Sequence, residues 1–205
     1  MKYIDLTHTI KNAMLVFSGD PIPKINQIAF TDNDGYNGFR ILTGMHAGTH
    51  IDAPFHMLSS GKRLSEYPVE YFFGKGILID ARGNKQIDQE LLKGIKLNRG
   101  DIVIVLTGFF KKFGQQEYYD AYPEITKSFA EQIIKYGIKM IGMDTPGPDR
   151  EPYVVHKLLL NKDILIIENL TNLEKLSENL QFNIIALPIK LDTEAAPARV
   201  VAQIL

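Results

Sequence analysis

Two stretches decide the fold: IVIVL at residues 102–106 and TKSFAEQIIKYGIKMIGM at residues 126–143. The first places five apolar residues in succession, the pattern of a strand covered on both faces rather than one alternating between core and water. The second opens as a helix over residues 126–136, with Phe129, Ile133 and Ile134 on one side. Gly137 stands where a helix stops, and the chain runs directly into another apolar strand at residues 140–143. Buried strands joined through an amphipathic helix predict an α/β fold.

Further apolar runs at residues 25–30, 39–42, 76–79, 164–167, 182–187 and 200–205 predict strands. Shorter helices are expected at residues 88–93 and 172–176, opened by Asp88 and Asn172 as N-caps, and at 153–160 behind Pro152. Polar, glycine-rich breaks at 31–38, 80–85 and 145–152 are short enough to be loops within one domain. The 205 residues therefore read as one mixed α/β domain, 1–205, with more strand than helix.

Composition narrows the function. With 23 basic and 24 acidic residues the net charge is −1, which gives no general attraction to nucleic acid or an anionic membrane. The expected partner is a small molecule. Cysteine is absent, which excludes disulfides, thiolate metal sites and a cysteine nucleophile. Any metal must be held by imidazole and carboxylate, a donor set suited to zinc, manganese or iron(II). The start, MKYIDLTHTIKNAML, lacks the basic-flanked apolar stretch of a signal peptide, and no run of about 18 apolar residues offers a membrane span. A cytoplasmic location is the expectation.

The histidines are His8, His46, His50, His56 and His156, and three of the five fall within HAGTHIDAPFH at residues 46–56, beside Asp52. The spacing of His46 and His50 would suit one helical face, but Gly48 and the residue before Pro54 both disfavour a helix. The stretch reads instead as the end of a strand running into a turn. In extended chain, His50 and Asp52 point to the same side and can share one metal. An inert loop would have to supply each buried imidazole with its own partner, a costly way to build a turn. Glu168 follows the apolar run ILII directly and must face water, a cation or a metal, and His156 lies in VVHKLLL. Each of these two alone also reads as an ordinary strand-end or helix-face residue.

HAGTHIDAPFH fulfils every fixed position of H-x-G-T-H-x-D-x-P-x-H and so resembles the cyclase family of metal-dependent hydrolases, which includes bacterial kynurenine formamidases. The likeness continues through IDLTHTI (4–10), LIDA (78–81), GMDTPGPD (142–149), IIENLTNL (166–173) and ALPIKLDTEAAPARVVA (186–202), most of the chain. The resemblance implies a swivelling β/β/α-type fold, dimers or tetramers, and two divalent ions, zinc first and manganese or iron as alternatives. It implies that His46 and His50 hold one ion, that Asp52 bridges to a second, and that His156 and Glu168 complete the second site. His56 is implied as the catalytic acid/base. Two segments depart from the family pattern: Asp5-Leu6-Thr7-His8 replaces a D-I-S-P-P-like start, and Ser18-Gly19-Asp20 replaces P-G-D. Both are expected to shape the substrate pocket, and for His8 the pocket is preferred over a turn role.

The activity so implied is hydrolysis of an aryl formamide, N-formylkynurenine being the family's best-known substrate. Alternatives are another cyclic or linear amide such as an isatin-like lactam, and a non-enzymatic metal or small-molecule binding protein. Phe17, Phe30, Tyr36 and Phe39 are candidates to line an aromatic pocket, though such residues are more often core. No G-x-S-x-G elbow points to a serine hydrolase.

Overall fold

A computed structural model describes residues 1–176 and 180–205. Strand β1 (Lys2–Asp5) precedes a hairpin of β2 (Lys24–Ala29) and β3 (Gly38–Leu42), with the single-turn helix α1 (Thr31–Asp34) between them. Strands β4 (His50–Asp52), β5 (Phe73–Asp80), β6 (Gln86–Ile87) and β7 (Ile102–Leu106) follow. Next come α2 (Gln116–Asp120), β8 (Glu124–Ile125), α3 (Lys127–Tyr136) and β9 (Met140–Met143). The chain ends with α4 (Val154–Leu160), β10 (Leu165–Glu168), β11 (Phe182–Pro188) and β12 (Ala195–Ile204).

Eight strands make one mixed sheet in the order β1-β12-β11-β5-β7-β9-β10-β4, and β4 pairs again with β12. That last pairing closes the sheet into a barrel, with β1 joined to the β4-bearing side of β12. Strands β5, β7, β9 and β10 run parallel, and the other neighbours are antiparallel. The α/β expectation with a mixed sheet holds.

Strand β7 shows why this sequence needs two covered faces. Ile102, Ile104 and Leu106 join a core with Ile51, Ile167, Phe182 and Ile184. Val103 and Val105 join a second core with Phe129 and Ile133 of α3 and Leu159 of α4. The first core fills the barrel, and the second cements helices to its outside. All five residues of β7 are buried, so truncating Ile104 to Ala would cost about 2–5 kcal/mol. Helix α3 is capped as the sequence indicates: Thr126 Oγ1 accepts from Phe129 N, and Gly137 takes φ 69.

Several expectations need correction. The loop at 31–38 contains α1, held by Asp34 Oδ2 accepting from Phe30 N. Asp88 does cap its segment by accepting from Glu90 N, but the turn is 3-10. Asn172 stands at the N-cap position of a 3-10 turn at Leu173–Lys175, but at φ 59 its side chain makes no capping bond and spends its amide on Asp5 O. Helix α4 starts at Val154, beyond a left-handed Tyr153, rather than directly behind Pro152. The final strand begins at Ala195, five residues before the apolar run, because its early residues pair with β4. Phe30, Tyr36 and Phe39 are neither core nor pocket; they are 49%, 64% and 64% exposed on the hairpin.

Candidate active site

The strand running into a turn that HAGTHIDAPFH predicts is present, and a further turn precedes the strand. Residues 45–49 form the turn, β4 spans only His50–Asp52, and a 3-10 turn at Pro54–His56 follows. Gly48 at φ 66 bends the chain so that His46 Nδ1 comes within 3.0 Å of His50 Nε2 without a helix.

Pairing then assembles the remaining residues. In β4 the central Ile51 enters the barrel core, so its neighbours His50 and Asp52 face outward together. Across the antiparallel ladder, Glu168 lies directly opposite His50 and Ile166 opposite Asp52. Glu168 is the last residue of β10, so the cluster sits at the carboxyl ends of the parallel strands, where α/β sheets place their ligands. Helix α4 brings in His156, whose Nε2 is 3.2 Å from Glu168 Oε1. Gly147 lets the preceding loop press close, since a Cβ there would lie 3.2 Å from His156 Cε1 and 3.3 Å from Glu168 Oε1.

Ring tautomers follow from the acceptors behind each imidazole. His50 Nδ1 donates to Gly48 O at 2.8 Å. His156 Nδ1 donates to Asp149 Oδ1 at 2.6 Å. Both rings therefore turn an Nε2 lone pair inward, His50 toward Asp52 Oδ1 at 3.3 Å and Glu168 Oε2 at 3.2 Å. His46 Nδ1 adds a further nitrogen 3.1 Å from Asp52 Oδ1. These approaches lack hydrogen-bond alignment: both Asp52 oxygens are buried with no hydrogen-bond partner. Lone pairs and carboxylate oxygens facing one another repel unless protons or a cation lie between them.

The electrostatics express the same need. Burial opposes a charged ring, yet the Asp52 carboxylate overrides it and raises His46 to about 11 and His50 to about 9. His156 also rises to about 9, against burial, through Asp149 and Glu168. Burial pushes Asp52 up, but His46 and His50 bring it well below the usual carboxylate range. Burial and Asp52 likewise push Glu168 up, and the facing rings of His156 and His50 bring it down. A site that draws protons this strongly offers the same donors to a metal. Ligand atoms of His46, His50 and Asp52 all lie within 4.8 Å of one another, as do those of Asp52, His156 and Glu168. The donor set fits divalent cations bound by imidazole and carboxylate, with Asp52 common to both groups.

His56 belongs to neither group. Its ring lies 4.4 Å from that of His46 and borders a cavity of about 300 Å³ above the cluster. Burial leads the forces on it, and its pKa is lowered, so the ring is neutral at pH 7. The cavity walls include Phe17, Tyr119, Tyr122 and Tyr153. Ser18 and Asp20 also line it, in line with the expected role of that segment, whereas His8 does not. His8 stacks on Phe113 at 3.7 Å outside the cavity, and the pocket preference is set aside.

Sequence reasoning missed three contributors. Asp149 accepts from Val155 N, His156 N and His156 Nδ1, so it caps α4 and orients the histidine at once. Its only sequence signal is an acid seven residues before a histidine. Asn169 donates to Gly48 O at 3.0 Å, steadying the carbonyl that fixes His50. Glu194 Oε1 stands 3.6 Å from His46 Nε2.

Residues 4–150 match the Cyclase family, described as "Putative cyclase". A kynurenine formamidase of Bacillus cereus is 27% identical, the match covering 98% of this chain and 96% of that one. Isatin hydrolase A from Labrenzia aggregata superposes with a TM-score of 0.88 over 98% of this chain and 93% of its own; at 24% identity it speaks to the fold. A predicted metal-dependent hydrolase from Bacillus stearothermophilus is 30% identical, with a TM-score of 0.82 over 98% of this chain and 97% of its own. With residues 4–150 of the chain matched to the family and those similarities running end to end, the chain belongs to the cyclase family of metal-dependent hydrolases.

Proposed function

We propose that the protein hydrolyses an aryl formamide, N-formylkynurenine or a close analogue, as a step of tryptophan catabolism. The observation that carries this is the pair of ligand groups sharing Asp52 beneath an aromatic-walled cavity bordered by a neutral histidine. His46, His50 and Asp52 would hold one divalent ion, and Asp52, His156 and Glu168 a second, zinc being the first choice and manganese or iron(II) the alternatives. When bound, such ions supply Lewis acidity toward the formyl carbonyl and bring the pKa of water from 15.7 toward about 7. His56 accepts a proton from the attacking water and returns it to the departing aniline nitrogen. Its lowered pKa keeps the ring in the accepting form at neutral pH. Phe17 and the cavity tyrosines hold the aryl ring and exclude bulk water.

The same reading includes one domain over residues 1–205, a cytoplasmic location and a homo-oligomer. Among the described residues, no helix is long and apolar enough to cross a membrane. Oligomer formation is supported by the β2–β3 hairpin, whose strands, among the described residues, pair only with each other and expose Phe39, Ile41 and Leu42. A lone two-stranded hairpin is marginal in water unless something covers it.

The test separates chemistry from metal binding. His56→Ala is expected to retain its metal and lose about 10²–10⁴-fold in turnover of N-formylkynurenine. His50→Ala should lose metal and turnover together. Loss of metal from His56→Ala would make His56 a ligand and overturn its role.

A further inference from the structure

The cavity holds a carboxylate that the chemistry above leaves unused. Four acids line it: Asp20, Asp52, Asp149 and Glu168. Asp149 is occupied by Val155 N and His156, and Glu168 faces His50 and His156. Asp52 lies between His46 and His50. Only Asp20 has no side-chain hydrogen bond or ion pair among the described residues, although it is half-buried. No lysine or arginine lines the cavity, and the histidines below, which act on Asp20 through charge, make no hydrogen bond or ion pair with it.

Its position is built rather than accidental. Asp20 N donates to Phe17 O at 3.0 Å, closing a turn through Gly19 at φ 98. The segment is anchored by Tyr119, whose hydroxyl donates to Leu15 O at 2.9 Å and whose ring meets Phe17 edge-on at 6.2 Å. Pro21, the next residue, packs closely enough on Gly44 that a Cβ there would lie 3.0 Å from Pro21 Cδ. A rigid loop thus presents an unpaired anion to the space where the substrate must lie, and such a group is satisfied by a donor on the ligand.

We propose that Asp20 is the specificity-determining residue of this cavity, pairing with a cationic ammonium group carried by the aryl substrate. The assignment rests on reading the cavity as the hydrolase's active site, and it narrows the substrate class from aryl amides in general to those bearing an amine. An ammonium meeting a half-buried carboxylate gains charge-assisted hydrogen bonds that a hydroxyl of the same size does not.

Two parallel measurements test it on zinc-loaded protein. Calorimetry compares binding of phenethylammonium with its neutral isostere phenethyl alcohol. Kinetics compares formanilides bearing an ortho aminoethyl or an ortho hydroxyethyl group. Wild type should favour the ammonium partner by roughly tenfold or more in each. In Asp20→Asn and Asp20→Ser, with metal content and melting temperature checked, that ratio should fall toward one. No preference in wild type, or a preference that survives both substitutions, overturns the assignment. If neither formanilide is cleaved but the Asp20-dependent binding preference is present, the formamidase reading fails and Asp20 stands. If both are cleaved without preference, only the role of Asp20 fails.

Discussion

Replacing Asp149 by Asn probes how the second ligand group is held. The carboxylate accepts on both oxygens: His156 Nδ1 at 2.6 Å and His156 N at 3.2 Å on Oδ1, and Val155 N at 2.7 Å on Oδ2. Asn keeps one acceptor oxygen, so its NH₂ must face an N–H wherever the second bond was. One charge-assisted hydrogen bond in a buried setting is lost, about 1.5–3 kcal/mol. For a chain of this length that corresponds to a melting temperature lower by roughly 3–12 °C. Weakening the support behind His156 should also lower metal affinity at the group formed with Glu168 and Asp52 by about 10–100-fold. Chelator competition with cobalt or zinc reads this directly, and binding at the group formed by His46, His50 and Asp52 should be nearly unchanged. If Asp149→Asn binds both equivalents as tightly as wild type and melts at the same temperature, the positioning argument is wrong.

Other consequences follow from the same structure. In the metal-free protein, His46 is raised to about 11 and His50 and His156 to about 9, so protons on these rings hold the buried carboxylates together. A raised folded-state pKa gives stability that is complete below the unfolded value near 6.5 and lost as pH climbs through the folded values. Melting of the stripped protein should therefore fall between pH 6.5 and 11, and added zinc should flatten the decline; a flat profile without metal would contradict this. Phe39 and Ile41 lie on one face of β3, so the double substitution Phe39→Asp and Ile41→Asp should convert an oligomer to monomer in sedimentation while circular dichroism stays native. A wild-type monomer, or an unchanged oligomer in the variant, refutes the hairpin contact.

What could be seen in the sequence was local. Residues 102–106 and 126–143 carried their own periodicity and caps, and they formed the strands and helix expected. The crowding of His46, His50, Asp52 and His56 was legible because two turns and the three-residue strand between them hold all four. What escaped was pairing at a distance. Closure of the barrel depends on Pro197 meeting His50 and Ala195 meeting Asp52, contacts that no window of sequence contains. Asp149 and Asn169 act through hydrogen bonds to His156 and to Gly48, so neither announces itself by periodicity. The exposed aromatics of the hairpin misled for a related reason: residue type suggested burial, and among the described residues their strands pair only with each other.

The most direct test of the central claim is a zinc titration of metal-stripped protein, followed by hydrolysis of N-formylkynurenine at each step. Turnover should be negligible without metal and should rise until it levels off at two equivalents per chain. Turnover that is independent of added metal, or absent at every loading while two ions are bound, would contradict that claim.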